Sequence, residues 1–113
     1  MSEDYIGEFE ELVLLAILKL APDAYGTTII EALDDAGRKT SIGALYATLS
    51  RLERKGLISS WMSDPTAERG GRAKKYLKVT ANGDAAVCAA HESRKRLTPS
   101  FGLGYVSERG LSQ

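Results

Sequence analysis

The sequence predicts a mainly α-helical protein with one small β-hairpin, arranged as a winged helix-turn-helix domain plus a C-terminal helix. Three observations predict this fold class. Two helical patterns are joined by a short turn that contains glycine, two strand patterns follow directly, and a last helical pattern comes after them. The 113 residues are enough for one domain and an added helix or tail. We expect the winged domain over residues 1–80, the last helix over 81–98 and a tail over 99–113.

The stretch from Ser41 to Ile58 is the helix around which this prediction is organised. Its apolar residues recur at helical spacing and predict one narrow buried stripe, formed by Ile42, Leu45, Leu49 and Leu52. The opposite face begins with the small residues Ala44 and Ala47 and ends with Arg51 and Arg54. Such a helix can approach the base edges of the DNA major groove while its last turns contact phosphates. An ordinary amphipathic helix with a solvated basic face is the alternative interpretation.

Two further helices are predicted before this one. An apolar pattern over residues 12–20 predicts a first helix that ends before Pro22, because proline disfavours the helical conformation of its predecessor. A second helix is predicted after Tyr25, with Thr28 and Glu31 at the spacing of a capping box. A helix, a short turn and a second helix form the helix-turn-helix arrangement, in which the second helix contacts the bases.

A basic β-hairpin is predicted directly after the central helix. Residues 57–62 and 73–79 have strand composition, and Trp61 and Tyr76 are placed to pair across the two strands. Cations lie in the connecting loop and the second strand: Arg69, Arg72, Lys74 and Lys75. We interpret this hairpin as a wing that contacts the DNA backbone. An edge hairpin whose lysines only prevent aggregation is the alternative interpretation.

Charge is segregated along the chain although the net charge is zero. Residues 1–36 contain nine acidic residues and one basic residue, whereas residues 37–78 contain ten basic residues and three acidic ones. A basic middle third favours a positive surface on one side of the fold, as a partner of nucleic acid requires.

The last helix is predicted from residue 81 to Leu97, with Thr80 as its N-cap. Small apolar side chains fill positions 85–90, and a short alanine-rich helix is marginally stable alone. We therefore expect a C-terminal dimerisation helix that packs on the first helix of a second copy. Burial of the first helix wholly within its own domain is the alternative.

The residues for catalysis and metal binding are missing. Cys88 and His91 lie three residues apart, but a structural zinc site needs about four ligands. Gly70-Gly71 lacks the lysine and serine of a phosphate-binding loop, and no nucleophile with a base and an orienting acid is recognisable. We predict a protein that is not an enzyme and has no cofactor. A single cysteine, no signal peptide and no membrane span predict a cytoplasmic location and no membrane partner.

Four landmarks occur together in order: LVLLAIL in the first helix, Tyr25-Gly26, GALYATLSRLERKGLI from Gly43, and GGRAKKYLKVTANG from Gly70. Through them the chain resembles PadR-type transcriptional regulators over about residues 8–90. The resemblance implies a winged-helix homodimer that represses transcription from palindromic sites in double-stranded DNA, with repression often relieved by a small-molecule effector. Ala47 stands where the family usually has proline, and the last helix is shorter than is common in the family.

The resemblance and the residue patterns together predict two sets of site residues. The predicted DNA contacts are Thr40, Ser41, Ala44, Tyr46, Ala47, Ser50, Arg51, Arg54, Arg69, Arg72, Lys74 and Lys75. The predicted dimer contacts are Phe9, Leu12, Val13, Ala85, Cys88, Ala89 and Leu97. The sequence thus predicts a sequence-specific DNA-binding regulator. A winged-helix module for protein–protein assembly is the alternative, and binding of RNA or an anionic membrane through the same basic block is a third interpretation.

Overall fold

The computed structural model describes residues 5–63 and 73–99 of the chain, which contain four helices and one antiparallel two-stranded sheet. In chain order the elements are α1 (Glu8–Leu20), α2 (Gly26–Asp35), α3 (Ile42–Arg54), β1 (Ile58–Met62), β2 (Lys75–Val79) and α4 (Ala81–Leu97). Helix α1 lies at the centre and packs against α2, α3, α4 and β2. The predicted fold class, mainly helical with a small hairpin after a helix-turn-helix, is confirmed.

The hydrophobic core is built between α1 and the helices around it. Its largest fully buried side chains come from α1, α2, α3 and the start of the hairpin: Val13, Leu14, Ile17, Ile29, Leu45, Leu52 and Leu57. Complete burial of one such aliphatic side chain contributes about 1.5–3 kcal/mol relative to its exposed state. The core therefore fixes α3 against α1, and the opposite face of α3 is exposed to solvent.

The boundaries of α1 and α2 follow from local chemistry. Helix α1 ends where predicted, since Ala21 before Pro22 has an extended ψ of 138°. The capping box predicted for Thr28 and Glu31 is wrong. Helix α2 begins at Gly26, which makes Thr28 its third residue, and the hydroxyl of Thr28 accepts a hydrogen bond of 3.0 Å from the backbone N–H of Tyr25.

A tight turn connects α2 to α3. Gly37 adopts a φ of +83°, which favours glycine, and the N–H of Arg38 donates to the carbonyl of Leu33 at 2.8 Å. Ser41 then caps α3, because its hydroxyl accepts a hydrogen bond of 3.0 Å from the N–H of Ala44. These two caps fix the direction of α3 relative to α2.

The buried stripe of α3 differs from the prediction at one end. Ile42 is 56% exposed, so its predicted burial is wrong, and Thr48 is buried instead. Ile42 is the first residue of the helix and lies beyond the core, whereas Thr48 lies between Leu45 and Leu52 on the same face. The stripe that holds α3 therefore begins about one turn later than the sequence pattern predicted.

The hairpin has the predicted pairing but shorter strands. Leu57 precedes β1 and Ala73 precedes β2, so both lie outside the strands in which they were predicted. Trp61 faces Tyr76 across the ladder, and their rings stack with centroids 5.6 Å apart. The N–H of Leu77 donates to the carbonyl of Ala24 at 2.8 Å and fastens the hairpin to the start of α2.

Helix α4 has the predicted bounds and the predicted cap. The hydroxyl of Thr80 accepts a hydrogen bond from the N–H of Gly83 at 3.1 Å and donates one to the carbonyl of Gly56 at 2.7 Å. Ala86 and Val87 are buried, whereas residues 91–97 are exposed. One face of the first half of α4 thus belongs to the core, and the second half of the helix is exposed.

Candidate DNA interface

One face of α3 forms a slim exposed row that ends in a cation. Gly43, Ala47, Ser50 and Arg54 are separated by four, three and four residues, so they share one side of the helix, and all four are exposed. The first three are small. We call these four residues the α3 row, and its shape lets the helix backbone approach a flat or grooved partner closely.

Two different flanks border the α3 row. Tyr46 is 48% exposed, and its hydroxyl lies against Gly26, where an added Cβ would overlap it. On the other flank Ala44 and Arg51 continue the surface toward α1. Most of the predicted α3 contacts are exposed, namely Ser41, Ala44, Tyr46, Ala47, Ser50 and Arg54, while Thr40 and Arg51 are half-buried.

Arg51 and Lys55 are held by a buried carboxylate on α1. Glu10 accepts a hydrogen bond of 2.9 Å from Nε of Arg51 and bonds of 3.0 and 3.1 Å from Nζ of Lys55. Its side chain is only 7% exposed, whereas that of Arg51 is 43% exposed. Nη2 of Arg51 also donates to the hydroxyl of Thr48 at 3.3 Å. The predicted DNA contact Arg51 is thus half-exposed and already engaged with two groups.

Glu10 carries a pKa below its ordinary value. Burial is the largest single influence and raises the pKa, but hydrogen bonds from Arg51, the N–H of Gly7 and Lys55 together outweigh it. Glu8 at the start of the same helix also has a lowered pKa, because Arg38 bonds to its carboxylate at 3.1 Å. Both acids therefore favour the folded state in their charged forms.

The Glu10 cluster predicts acid-sensitive stability. Because its folded pKa is lower than the unfolded value near 4.5, its stabilisation is complete above that value and is lost as pH falls through the folded pKa. At neutral pH, Glu10→Gln should lower the free energy of unfolding by about 2 kcal/mol. The deficit in the free energy of unfolding should shrink as pH falls below about 4.5 in urea titrations. A deficit independent of pH would contradict this assignment, and Glu8→Gln at an exposed position is the control.

The base of the wing is fastened to the rest of the domain. Nζ of Lys75 lies 3.7 Å from Glu53 of α3, and the hydroxyl of Ser60 donates to the other oxygen of that carboxylate at 2.8 Å. Nζ of Lys74 lies 4.5 Å from the centroid of the Tyr25 ring. Both lysines were predicted to contact DNA. The remaining predicted wing residues, Arg69 and Arg72, lie outside the described residues, as does the tail from residue 100.

The structure adds long-range ion pairs that the sequence interpretation missed. Glu8 pairs with Arg38 in the turn before α3, and Glu11 pairs with Arg94 of α4. Glu10 shares a helical face with the buried Leu14 and Ile17, at spacings of four and seven residues. That spacing was the signal for a buried acid in need of a cationic partner.

The predicted dimer contacts divide into buried and exposed groups. Val13 is fully buried in the core of its own chain, and its contact with a second copy stays a prediction. Phe9 and Leu12 are half-buried, and Leu15 and Leu18, which the prediction left out, are exposed. The predicted residues of α4 are all exposed: Ala85, Cys88, Ala89 and Leu97. Both α1 and α4 thus present apolar side chains to solvent.

Two other kinds of site are absent from the described ranges. Across residues 5–63 and 73–99, no three histidine, cysteine or acidic side chains are grouped so that they could hold a metal ion. Within the same ranges, none of the helices is both long and apolar enough to cross a bilayer.

The order of elements agrees with a comparison against protein families. The model of the transcriptional regulator PadR-like family matches residues 14–89, which is more than half of the chain. The chain belongs to the PadR-like family. The match includes α2, α3, both strands and about half of α4, and the prediction of family from the four landmarks is confirmed.

Solved structures support the same assignment. A PadR-like transcription factor from Bacteroides fragilis is 29% identical, with a TM-score of 0.65 over 79% of this chain and 82% of that one. A PadR family transcriptional regulator from Eggerthella lenta is 27% identical, with a TM-score of 0.64 over 89% and 87% of the two chains. A third PadR family regulator, from Clostridium difficile, shares the fold at 23% identity and a TM-score of 0.69 over 93% and 99%. No curated protein gave a significant match.

Membership in the PadR-like family decides the broad function. The protein is a DNA-binding transcriptional regulator, as predicted. Members of this family regulate transcription and are not enzymes, which confirms the prediction that this chain is not an enzyme. In helix-turn-helix proteins generally, the second helix of the motif lies in the major groove of DNA.

Proposed function

We propose that this PadR-like protein is a homodimeric repressor that binds a palindromic operator with α3 in the major groove and the hairpin on the DNA backbone. The α3 row is the observation that carries the proposal. Gly43, Ala47 and Ser50 are small and exposed, and Arg54 follows on the same face. A major groove about 12 Å wide accepts a helix whose leading face is this slim.

The cations at the end of α3 suit the edge of the groove. Arg54 is exposed and makes no ion pair with any residue of the described ranges, so it is available to a phosphate or a base edge. Ala44 and Ala47 leave room for a thymine methyl group, which apolar side chains contact in the major groove. The hairpin lies beside α3, to which Lys75 is joined through Glu53, and from there it would reach the flanking phosphates.

Exposed apolar surface on two helices supports a homodimer. Leu15 and Leu18 of α1 and Leu97 of α4 are large hydrophobic residues in contact with solvent, and α4 adds the exposed small side chains of Ala85 and Ala89. Burial of this surface against a second copy would place two α3 helices on one side of a symmetric pair. Two half-sites separated by about one helical turn of DNA, roughly 34–36 Å, then form a palindrome.

A groove between α1 and α4 is the place we propose for an effector. It has a volume of about 440 Å³ and is lined by Ile6, Ala86 and Ala90, with the paired Glu11 and Arg94 among its polar groups. Small-molecule sites in proteins commonly combine such volumes with an apolar lining and a few polar groups. An effector that separates Glu11 from Arg94 would shift α4 relative to α1 and relieve repression.

Selection of binding sites from a pool of random duplex DNA tests the proposed function. The purified protein is expected to enrich an inverted repeat whose half-sites are about one helical turn apart. Enrichment of a single half-site would contradict the palindromic dimer. Failure to enrich any sequence would contradict specific DNA binding and favour a module for protein–protein assembly.

The dimer interface makes a separate prediction. Ala89→Glu places a charge on the exposed small face of α4 and is expected to convert the dimer into monomers of 12.2 kDa in sedimentation equilibrium. Ala81→Glu makes the same change at the exposed first residue of α4 and should leave the mass unchanged. A wild-type protein that sediments as a monomer at micromolar concentration would contradict the proposed dimer.

A further inference from the structure

We propose that Glu10 of α1 is a positioning residue for DNA recognition, which holds Arg51 of α3 in the orientation needed to contact a base edge or a phosphate. This inference rests on the proposed function, since it assigns a role to a residue that does not itself touch DNA.

Glu10 has the properties of a fixed anchor. Its carboxylate is buried, and the backbone N–H of Gly7 donates to Oε1 at 3.0 Å. Lys55 bonds to both carboxylate oxygens. A carboxylate bound from three directions has little freedom to rotate, so a group bonded to it is held in one place.

Arg51 is held at one edge and open at the other. Nε donates to Glu10 and Nη2 donates to Thr48, which uses two of the five N–H bonds of the guanidinium. Within the described part of the chain, the other three N–H bonds meet no acceptor, and the side chain is 43% exposed. A planar guanidinium with free donors matches a phosphate or the O6 and N7 atoms of guanine.

The position of Arg51 on α3 places those donors beside the bases. Ala44, Ala47 and Arg51 are separated by three and four residues, so Arg51 lies on the same side of the helix as Ala44 and beside Ala47 of the α3 row. When the alanines approach the groove, Arg51 borders the same groove. Holding a long side chain in place before binding reduces the conformational entropy that is lost on binding.

Glu10 also balances charge near the interface. Its single negative charge lies between Arg51 and Lys55, so nonspecific attraction of these cations to phosphates is reduced. Loss of Glu10 should therefore act in opposite directions on the two kinds of binding. Specific binding loses an oriented arginine, whereas nonspecific binding gains positive charge.

Binding of two variants to two duplexes tests this role. The probes are the duplex most enriched by the wild-type protein and a scrambled duplex of the same length. For Glu10→Gln we expect about tenfold weaker binding to the selected duplex, equal or tighter binding to the scrambled one, and a salt dependence steeper by up to about one phosphate contact. Arg51→Lys should show the same loss on the selected duplex and retain its affinity for the scrambled one.

Controls separate this role from general effects. Glu8→Gln removes the same charge from the same helical turn, but the partner of Glu8 is Arg38. This variant should therefore keep the preference for the selected duplex. If Glu10→Gln weakens both duplexes equally, or strengthens both equally, Glu10 does not position Arg51. If the wild-type protein itself does not distinguish the duplexes, the proposed function fails, which is a different outcome from failure of the Glu10 assignment alone.

Discussion

Ala47→Glu is expected to abolish specific DNA binding while the fold stays intact. Ala47 lies in the middle of the exposed α3 row, between Gly43 and Ser50, and a glutamate there would add both length and negative charge. Each mismatched contact in a specific interface costs about 1–3 kcal/mol, and repulsion between the carboxylate and the phosphates adds to that cost. We expect affinity for the selected duplex to fall by about a hundredfold or more.

The matched control for this prediction is Ala81→Glu. It makes the same substitution at an exposed helical residue of α4, outside α3 and the hairpin. Its affinity for DNA should change by no more than about twofold, and thermal unfolding of both variants should resemble that of the wild type. An Ala47→Glu protein that binds the selected duplex normally would show that the α3 row does not enter the groove.

Gly83→Ala is expected to destabilise the fold strongly. Gly83 is buried in the first turn of α4, where an added Cβ would overlap the carbonyl oxygen of Leu57 and lie 2.8 Å from Cγ1 of Val79. The Leu57 carbonyl also accepts a hydrogen bond from the N–H of Thr80 at 3.0 Å, so it has little freedom to move. We expect a loss of about 3 kcal/mol in the free energy of unfolding, measured in urea.

Gly43→Ala is the matched control for Gly83→Ala. Gly43 is also a helical glycine, but nothing lies within 4 Å of the position that its Cβ would occupy. Because alanine favours the helix over glycine, this variant should gain about 0.5–1 kcal/mol. Equal stability of the two variants would show that α4 does not pack on the Leu57 backbone as closely as described.

Local signals in the sequence predicted most of the framework. Thr80 as the cap of α4 and the end of α1 before Pro22 both depend on neighbouring residues, and the structure confirms them. The pairing of Trp61 with Tyr76 was also predictable, because alternation and strand length fix the register of a short hairpin. The four family landmarks then indicated the PadR family, and membership in that family predicted the function.

Contacts between distant parts of the chain were not predictable in the same way. Glu10 and Arg51 are 41 residues apart, and Glu11 and Arg94 are 83 residues apart, so neither pair produces a local pattern. The burial of Thr48 in place of Ile42 depends on the angle at which α3 meets the core, which helical periodicity alone does not determine. The ion pairs of the α1 acids were therefore missed, whereas the exposed side of α3 that carries Ala44, Ala47 and Arg54 was predicted from the helical spacing.

Sequence-specific binding by the α3 row is the central claim, and a salt titration tests it most directly. The affinity of the wild-type protein would be measured for a duplex from upstream of its own gene and for a scrambled duplex of equal length. Binding to the native duplex should be at least about a thousandfold tighter at physiological salt. Equal and steeply salt-dependent affinity for both duplexes would contradict the claim, because it would leave only attraction between cations and phosphates.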